Sequence, residues 1–135
     1  MSLYAMSDLH LSFTVDKSMS IYGSEWKNHV EKIEKNWRKR ISEKDTVRLR
    51  ISFGAAAAHG CSQFIMFPHY PPTSIGEMES VFIQAAEEYG ASQMVYSHCH
   101  GSARYQDGFL GEVNGIRYRL VSSGYLKFEP EMILE

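Results

Sequence analysis

The chain has 135 residues, 44% hydrophobic and 22% charged, with a formal net charge of −2 and a pI of about 6.3. That length suits one compact domain over residues 1–135, and no apolar run is long enough to span a bilayer. The near-neutral balance gives no polyanion footprint, so neither nucleic acid nor membrane is expected as a partner. The N-terminus lacks a basic stretch followed by an apolar core and a cleavage site, which points to a cytoplasmic location. Cys61 and Cys99 are too few and too far apart for a disulfide framework.

In chain order, Leu3 to Met6 reads as a short strand that ends at Ser7-Asp8. A loop carrying Asp16 and Gly23 follows, and Ser24 is the expected N-cap of a helix. Trp26, Val30, Ile33, Trp37 and Ile41 recur at helical spacing, and Glu31 with Lys35 and Glu34 with Arg38 face solvent as acid-first pairs four residues apart. Both tryptophans are read as core anchors. From Asp45 to Gly60 the signals conflict: Val47, Leu49, Ile51 and Phe53 alternate like a strand, whereas the alanine run before His59-Gly60 ends like a helix.

Gln63 to Phe67 reads as a buried strand stopped by Pro68, leaving His69 on a loop. Met78, Val81, Phe82, Ala85, Ala86 and Tyr89 form the apolar stripe of a second helix, which Gly90 ends, and Gln93 to Tyr96 is the next strand. Phe109–Val113 and Ile116–Ser122 flank Asn114-Gly115, a strong hairpin signal, and this antiparallel hairpin is expected to close the chain. The fold class is therefore α/β, a layered sheet with flanking helices and a C-terminal antiparallel hairpin.

Three strand exits carry the chemistry. Asp8 and His10 follow the first strand, His69 follows Phe64–Phe67, and His98 and His100 follow Met94–Tyr96. Ligands gather at the carboxyl ends of strands in α/β sheets, and one carboxylate with several neutral imidazoles suits Mn, Fe or Zn. A site holding one or two divalent ions is the expectation. His29 and His59 read as surface or capping residues, and Cys99 as a small semi-buried residue, with a thiolate ligand as the alternative. Arg104, Arg117 and Arg119 could hold a phosphate, but alternation on the hairpin turns Arg117 and Arg119 toward solvent.

Asp8-Leu9-His10, His69-Tyr70-Pro71-Pro72, His98-Cys99-His100-Gly101 and the Asn114–Ser122 stretch together resemble the bacterial calcineurin-like metallophosphoesterases. The resemblance covers nearly the whole chain and implies a layered metallophosphoesterase fold acting on a small phosphorylated substrate. In that family a dinuclear centre polarises a phosphate ester and activates a water that attacks phosphorus in line. By resemblance, Asp8, His10 and His100 would bind the first metal and His69 and His98 the second. The family's Gly-Asp motif, whose aspartate bridges the metals, and its Gly-Asn-His motif are both missing from this sequence. The chain thus reads as a truncated phosphoesterase whose two ends meet near residues 47–48, and no catalytic acid is assigned. The alternative reading is a non-catalytic remnant that binds one metal and associates as a homodimer, completing its sheet across the interface.

Overall fold

A computed structural model describes residues 2–11, 19–48, 64–73 and 79–135 of the chain. Their elements run β1 (Leu3–Ala5), two 3-10 turns (Met19–Tyr22, Ser24–Trp26), α1 (His29–Arg40), β2 (Thr46–Arg48), β3 (Phe64–Met66), α2 (Val81–Glu88) and β4 (Ala91–Tyr96). A 3-10 turn (Ser102–Arg104), β5 (Gly111–Val113), β6 (Ile116–Leu120) and β7 (Glu131–Leu134) complete the order. The protein is mixed α/β, with two helices and two sheets, ordered β2-β1-β7 and β3-β4-β6-β5.

Parallel pairing dominates around the future site: β1 with β2, β3 with β4, and β4 with β6. Parallel strands need crossovers, and α2 supplies the one between β3 and β4. The β5–β6 pair is the expected antiparallel hairpin, with Asn114 (φ 51°) and Gly115 (φ 77°) both in the left-handed region that a two-residue turn of this hand requires. It does not close the chain, however. After β6 the backbone turns through residues 121–130 and returns as β7, antiparallel to β1. The Met132-Ile133-Leu134 run forms this strand, with Ile133 buried and Met132 exposed.

Three apolar clusters separate the layers. Ile83, Ala86, Met94, Tyr96, Tyr118 and Leu120 pack α2 onto one face of the four-stranded sheet. Ala5, Val95, Val121 and Ile133 fill the space between the two sheets. Met6, Trp26, Ile33 and Phe128 then pack α1 and the turn before it on the far side of β1, since Ala5 and Met6 point to opposite faces. The layers therefore run α1, three-stranded sheet, four-stranded sheet, α2. Among the described residues no helix is long and apolar enough to cross a membrane.

Several elements differ from expectation. The first α-helix starts at His29, not at Ser24, because Ser24–Trp26 winds as a 3-10 turn and Asn28 enters the left-handed region (φ 55°) as the N-cap, without a side-chain capping bond. On α2 the expected stripe holds at Ala86, which is buried, and at Phe82, which packs on the same cluster, but Val81 and Tyr89 at its edges are 73% and 63% exposed. Ile83, outside the stripe, is buried, and Met78 lies outside the described residues. Ser80 caps that helix, its Oγ accepting from the Ile83 amide at 3.3 Å, and sets where it begins. Within the conflicting Asp45–Gly60 stretch, Thr46–Arg48 is a strand that runs straight through positions 47–48. The alanine run, His59 and Cys61 lie outside the described residues. Arg117 is exposed as expected, but Arg119 is not: its Nη1 donates to Glu131 Oε1 at 2.8 Å, which ties β6 to β7.

Candidate metal centre

β1 and β4 are short apolar strands whose carboxyl ends open at the same edge, brought level by the parallel bridge between Ser7 and Ser122. The backbone leaves both strands abruptly. Asp8 (φ 58°), His10 (φ 48°) and His98 (φ 68°) all occupy the left-handed region, which costs a non-glycine residue about 1 kcal/mol or more. Three such residues in one small region turn ligand-bearing side chains back over the strand ends.

Asp8, His10 and His100 converge there, each half-buried, with one ligand atom from each lying within 4.8 Å of the others. His10 Nε2 and His100 Nε2 are 3.3 Å apart, and Asp8 Oδ1 is 4.0 Å from His100 Nε2. Two nitrogens bound at about 2.0–2.1 Å to a tetrahedral ion would sit about 3.3–3.4 Å apart, which the His10–His100 separation matches, whereas the Asp8 carboxylate, 4.0 Å from His100 Nε2, would have to draw closer to share the ion. One carboxylate and two imidazoles also suit Zn, Fe and Mn chemically. Burial pushes the His100 pKa below its usual value; Asp8 opposes this, while His10, His98 and His69 add to it. The neutral imidazole is the form that binds metal.

Asp8 divides its two oxygens. Oδ1 faces the imidazoles, while Oδ2 accepts the His98 backbone N–H at 3.0 Å. One carboxylate therefore serves the ligand cluster and also holds the loop that carries His98 and His100.

His69 and His98 lie just outside this triad. Their rings are 5.1 Å apart, the His98 ring is 6.3 Å from that of His100, and the exposed Tyr70 stacks against both (4.9 and 4.3 Å). Ser97 orients His69. Its Oγ donates to the His69 carbonyl (3.1 Å) and lies 3.2 Å from His69 Nδ1. A hydroxyl has one proton, so with that proton on the carbonyl it accepts Nδ1–H, which leaves the lone pair on Nε2.

His29 was read as a surface or capping residue, yet its ring nitrogens lie 3.1 Å from the Trp26 carbonyl and 3.2 Å from the His10 carbonyl. It couples the start of α1 to the His10 loop. No sequence period shows this, because the contact depends on where the helix begins. Trp26 stacks edge-on to His10, His29, His100 and Phe128, forming an aromatic floor beneath the triad.

Cys99, between the two histidines, is buried, and burial pushes its thiol pKa up, away from the thiolate a metal needs. Arg104 is exposed and pairs with Asp107 at 3.3 Å. Comparison with protein-family models, curated proteins and solved structures finds no match.

Proposed function

We propose that this chain is a divalent-metal phosphoesterase related to the calcineurin-like metallophosphoesterases, with the ion held by Asp8, His10 and His100. The observation that carries this reading is the convergence of one carboxylate and two imidazoles from the exits of two strands, beside a second histidine pair. When bound, a divalent ion supplies Lewis-acid polarisation of a phosphate ester and lowers the pKa of a water.

The protein's own groups divide the remaining work. His69 keeps its lone pair on Nε2 because Ser97 takes its Nδ1–H, and His98 stands next to it at the solvent edge, so the two rings receive the phosphate side of a small phosphorylated substrate. The buried Trp26 ring lies against His10 and His100, and the exposed Tyr70 ring lies against His69 and His98. The sequence has neither the Gly-Asp nor the Gly-Asn-His motif. Without a general acid for the leaving group, turnover is expected about a hundredfold to ten-thousandfold below that of a complete site.

The alternative is a non-catalytic protein that holds one ion. Among the described residues Asp8 is the only carboxylate in the ligand cluster, so a second cation at His69 and His98 would lack the negative charge that offsets repulsion between two ions. Metal analysis of the purified protein, combined with hydrolysis of a bis-aryl phosphate with and without manganese, separates the readings. Turnover that requires metal and is lost in His98→Ala supports the enzyme. Bound metal without turnover supports the one-ion protein, and absence of metal at millimolar supply refutes both.

A further inference from the structure

Serine is seldom fully buried, yet Ser122 and Ser123 are both 0% exposed, side by side just past the end of β6. Each hydroxyl goes to the backbone of a different ligand loop. Ser123 Oγ donates to the Asp8 carbonyl at 2.6 Å, and Ser122 Oγ donates to the Cys99 carbonyl at 2.8 Å, in the peptide that joins Cys99 to His100. Ser122 pairs with Ser7 in a parallel bridge and Ser123 opens the turn that follows, and the two neighbouring hydroxyls reach separate loops.

The main chain here is equally constrained. Ser7 N–H donates to the Val121 carbonyl, Ser123 N–H donates to the Ser7 carbonyl, both at 2.9 Å, and Val121 N–H donates to the Tyr96 carbonyl at 2.8 Å. Residues 121–123 thus form a bar to which both strand exits are fastened. The Asp8 loop and the His100 loop come from different sheets; among the described residues the bar sets one against the other, together with the His98 amide held by Asp8 Oδ2 and the Trp26 ring beneath His10 and His100.

We propose that Ser122 and Ser123 are positioning residues of the metal centre, whose hydroxyls fix the separation between the Asp8 and His100 ligand atoms. This rests on the metal-site reading above. A loop freed by loss of one hydroxyl swings about its strand end, and the chelating set loses its preorganised spacing.

The test is calorimetric titration of manganese(II) into the full chain as wild type, Ser122→Ala, Ser123→Ala, Ser123→Thr and Asp8→Asn. The unfolding midpoint of each metal-free protein and the visible spectrum of each cobalt(II)-loaded form are recorded beside it. The alanine variants are expected to bind metal about 10–100-fold more weakly, as outer-shell losses usually do. Their cobalt bands shift, and Ser123→Thr, which keeps the hydroxyl, returns toward wild type.

Alanine variants that bind as wild type does overturn the proposal, as does a weakening that follows the midpoint while the cobalt spectrum stays unchanged. If one alanine variant does not fold, the other decides, since each frees one loop; if neither folds, the hydroxyls are structural and the proposal falls. A wild type that binds no metal removes the site reading and this proposal together. Binding lost in Asp8→Asn but intact in the serine variants removes the proposal alone.

Discussion

Tyr96 ends β4 one residue before the loop that carries His98 and His100, and it is completely buried in the cluster between α2 and the four-stranded sheet. Its hydroxyl donates to the Phe109 carbonyl at 2.7 Å, closing the loop of residues 97–109 onto the sheet. In Tyr96→Phe the ring still fills its place, so the loss isolates that bond. A Cβ at Gly108 would lie 2.5 Å from the Tyr96 hydroxyl, which shows how closely the backbone covers it. Phe109 and Gly108 are part-exposed, so the Phe109 carbonyl loses its partner but stays within reach of solvent. Losing a bond to such a part-buried acceptor costs about 0.5–1.5 kcal/mol. With an unfolding entropy of about 2.1 cal/mol/K per residue over the 135-residue chain, the midpoint should fall by about 2–5 °C. Urea unfolding gives the isothermal value, with an unchanged slope showing that the compactness of the unfolded state is the same. A loss below about 0.5 kcal/mol would refute the reasoning, because the carbonyl would then have found another donor.

Three further outcomes are expected. A free divalent ion at a hundred times its dissociation constant should stabilise the wild type by about 2.7 kcal/mol, or about 9–10 °C in midpoint, and calorimetry should show no such shift in His100→Ala. Because burial lowers the folded-state pKa of His100 below its unfolded value, its contribution to stability is complete above about pH 6.5 and is lost as pH falls from there toward the folded pKa. Metal-free wild type should thus lose more stability than His100→Gln between pH 7 and 5, and equal losses would contradict the shift. Cys99 should resist alkylation at neutral pH in the native protein and react once unfolded, as read by peptide mass spectrometry; fast native labelling would show an exposed thiolate.

What could be read in the sequence follows from how local each signal is. The Asn114-Gly115 turn was legible because its left-handed backbone is demanded by the two residues themselves. Asp8, His10, His98 and His100 were legible because each follows an apolar run that could only be a short strand. The face of α2 was legible only in part: Ala86 is buried as its spacing implies, but Val81 and Tyr89, equally apolar, lie exposed, while Ile83 packs with Met94, Tyr96 and Tyr118 across the chain. Nor was β7, where three consecutive apolar residues give no period-two alternation, and its partner β1 lies at the other end of the chain. The roles of Ser122, Ser123 and His29 depend on contacts with carbonyls 23, 115 and 19 residues away, which no composition or spacing encodes.

The left-handed backbone at Asp8, His10 and His98 has a consequence for which sequences this site can accept. Glutamate could replace aspartate as a carboxylate donor, and glutamine could replace histidine in size, but both are poorly suited to positive φ, whereas Asp, Asn and His tolerate it. Conformation therefore screens substitutions before coordination chemistry does. Asp8→Glu should cost folding free energy even where its longer arm reaches the same ion. Asparagine at position 8 keeps the backbone and removes the charge, which makes it the cleaner probe of what the carboxylate contributes.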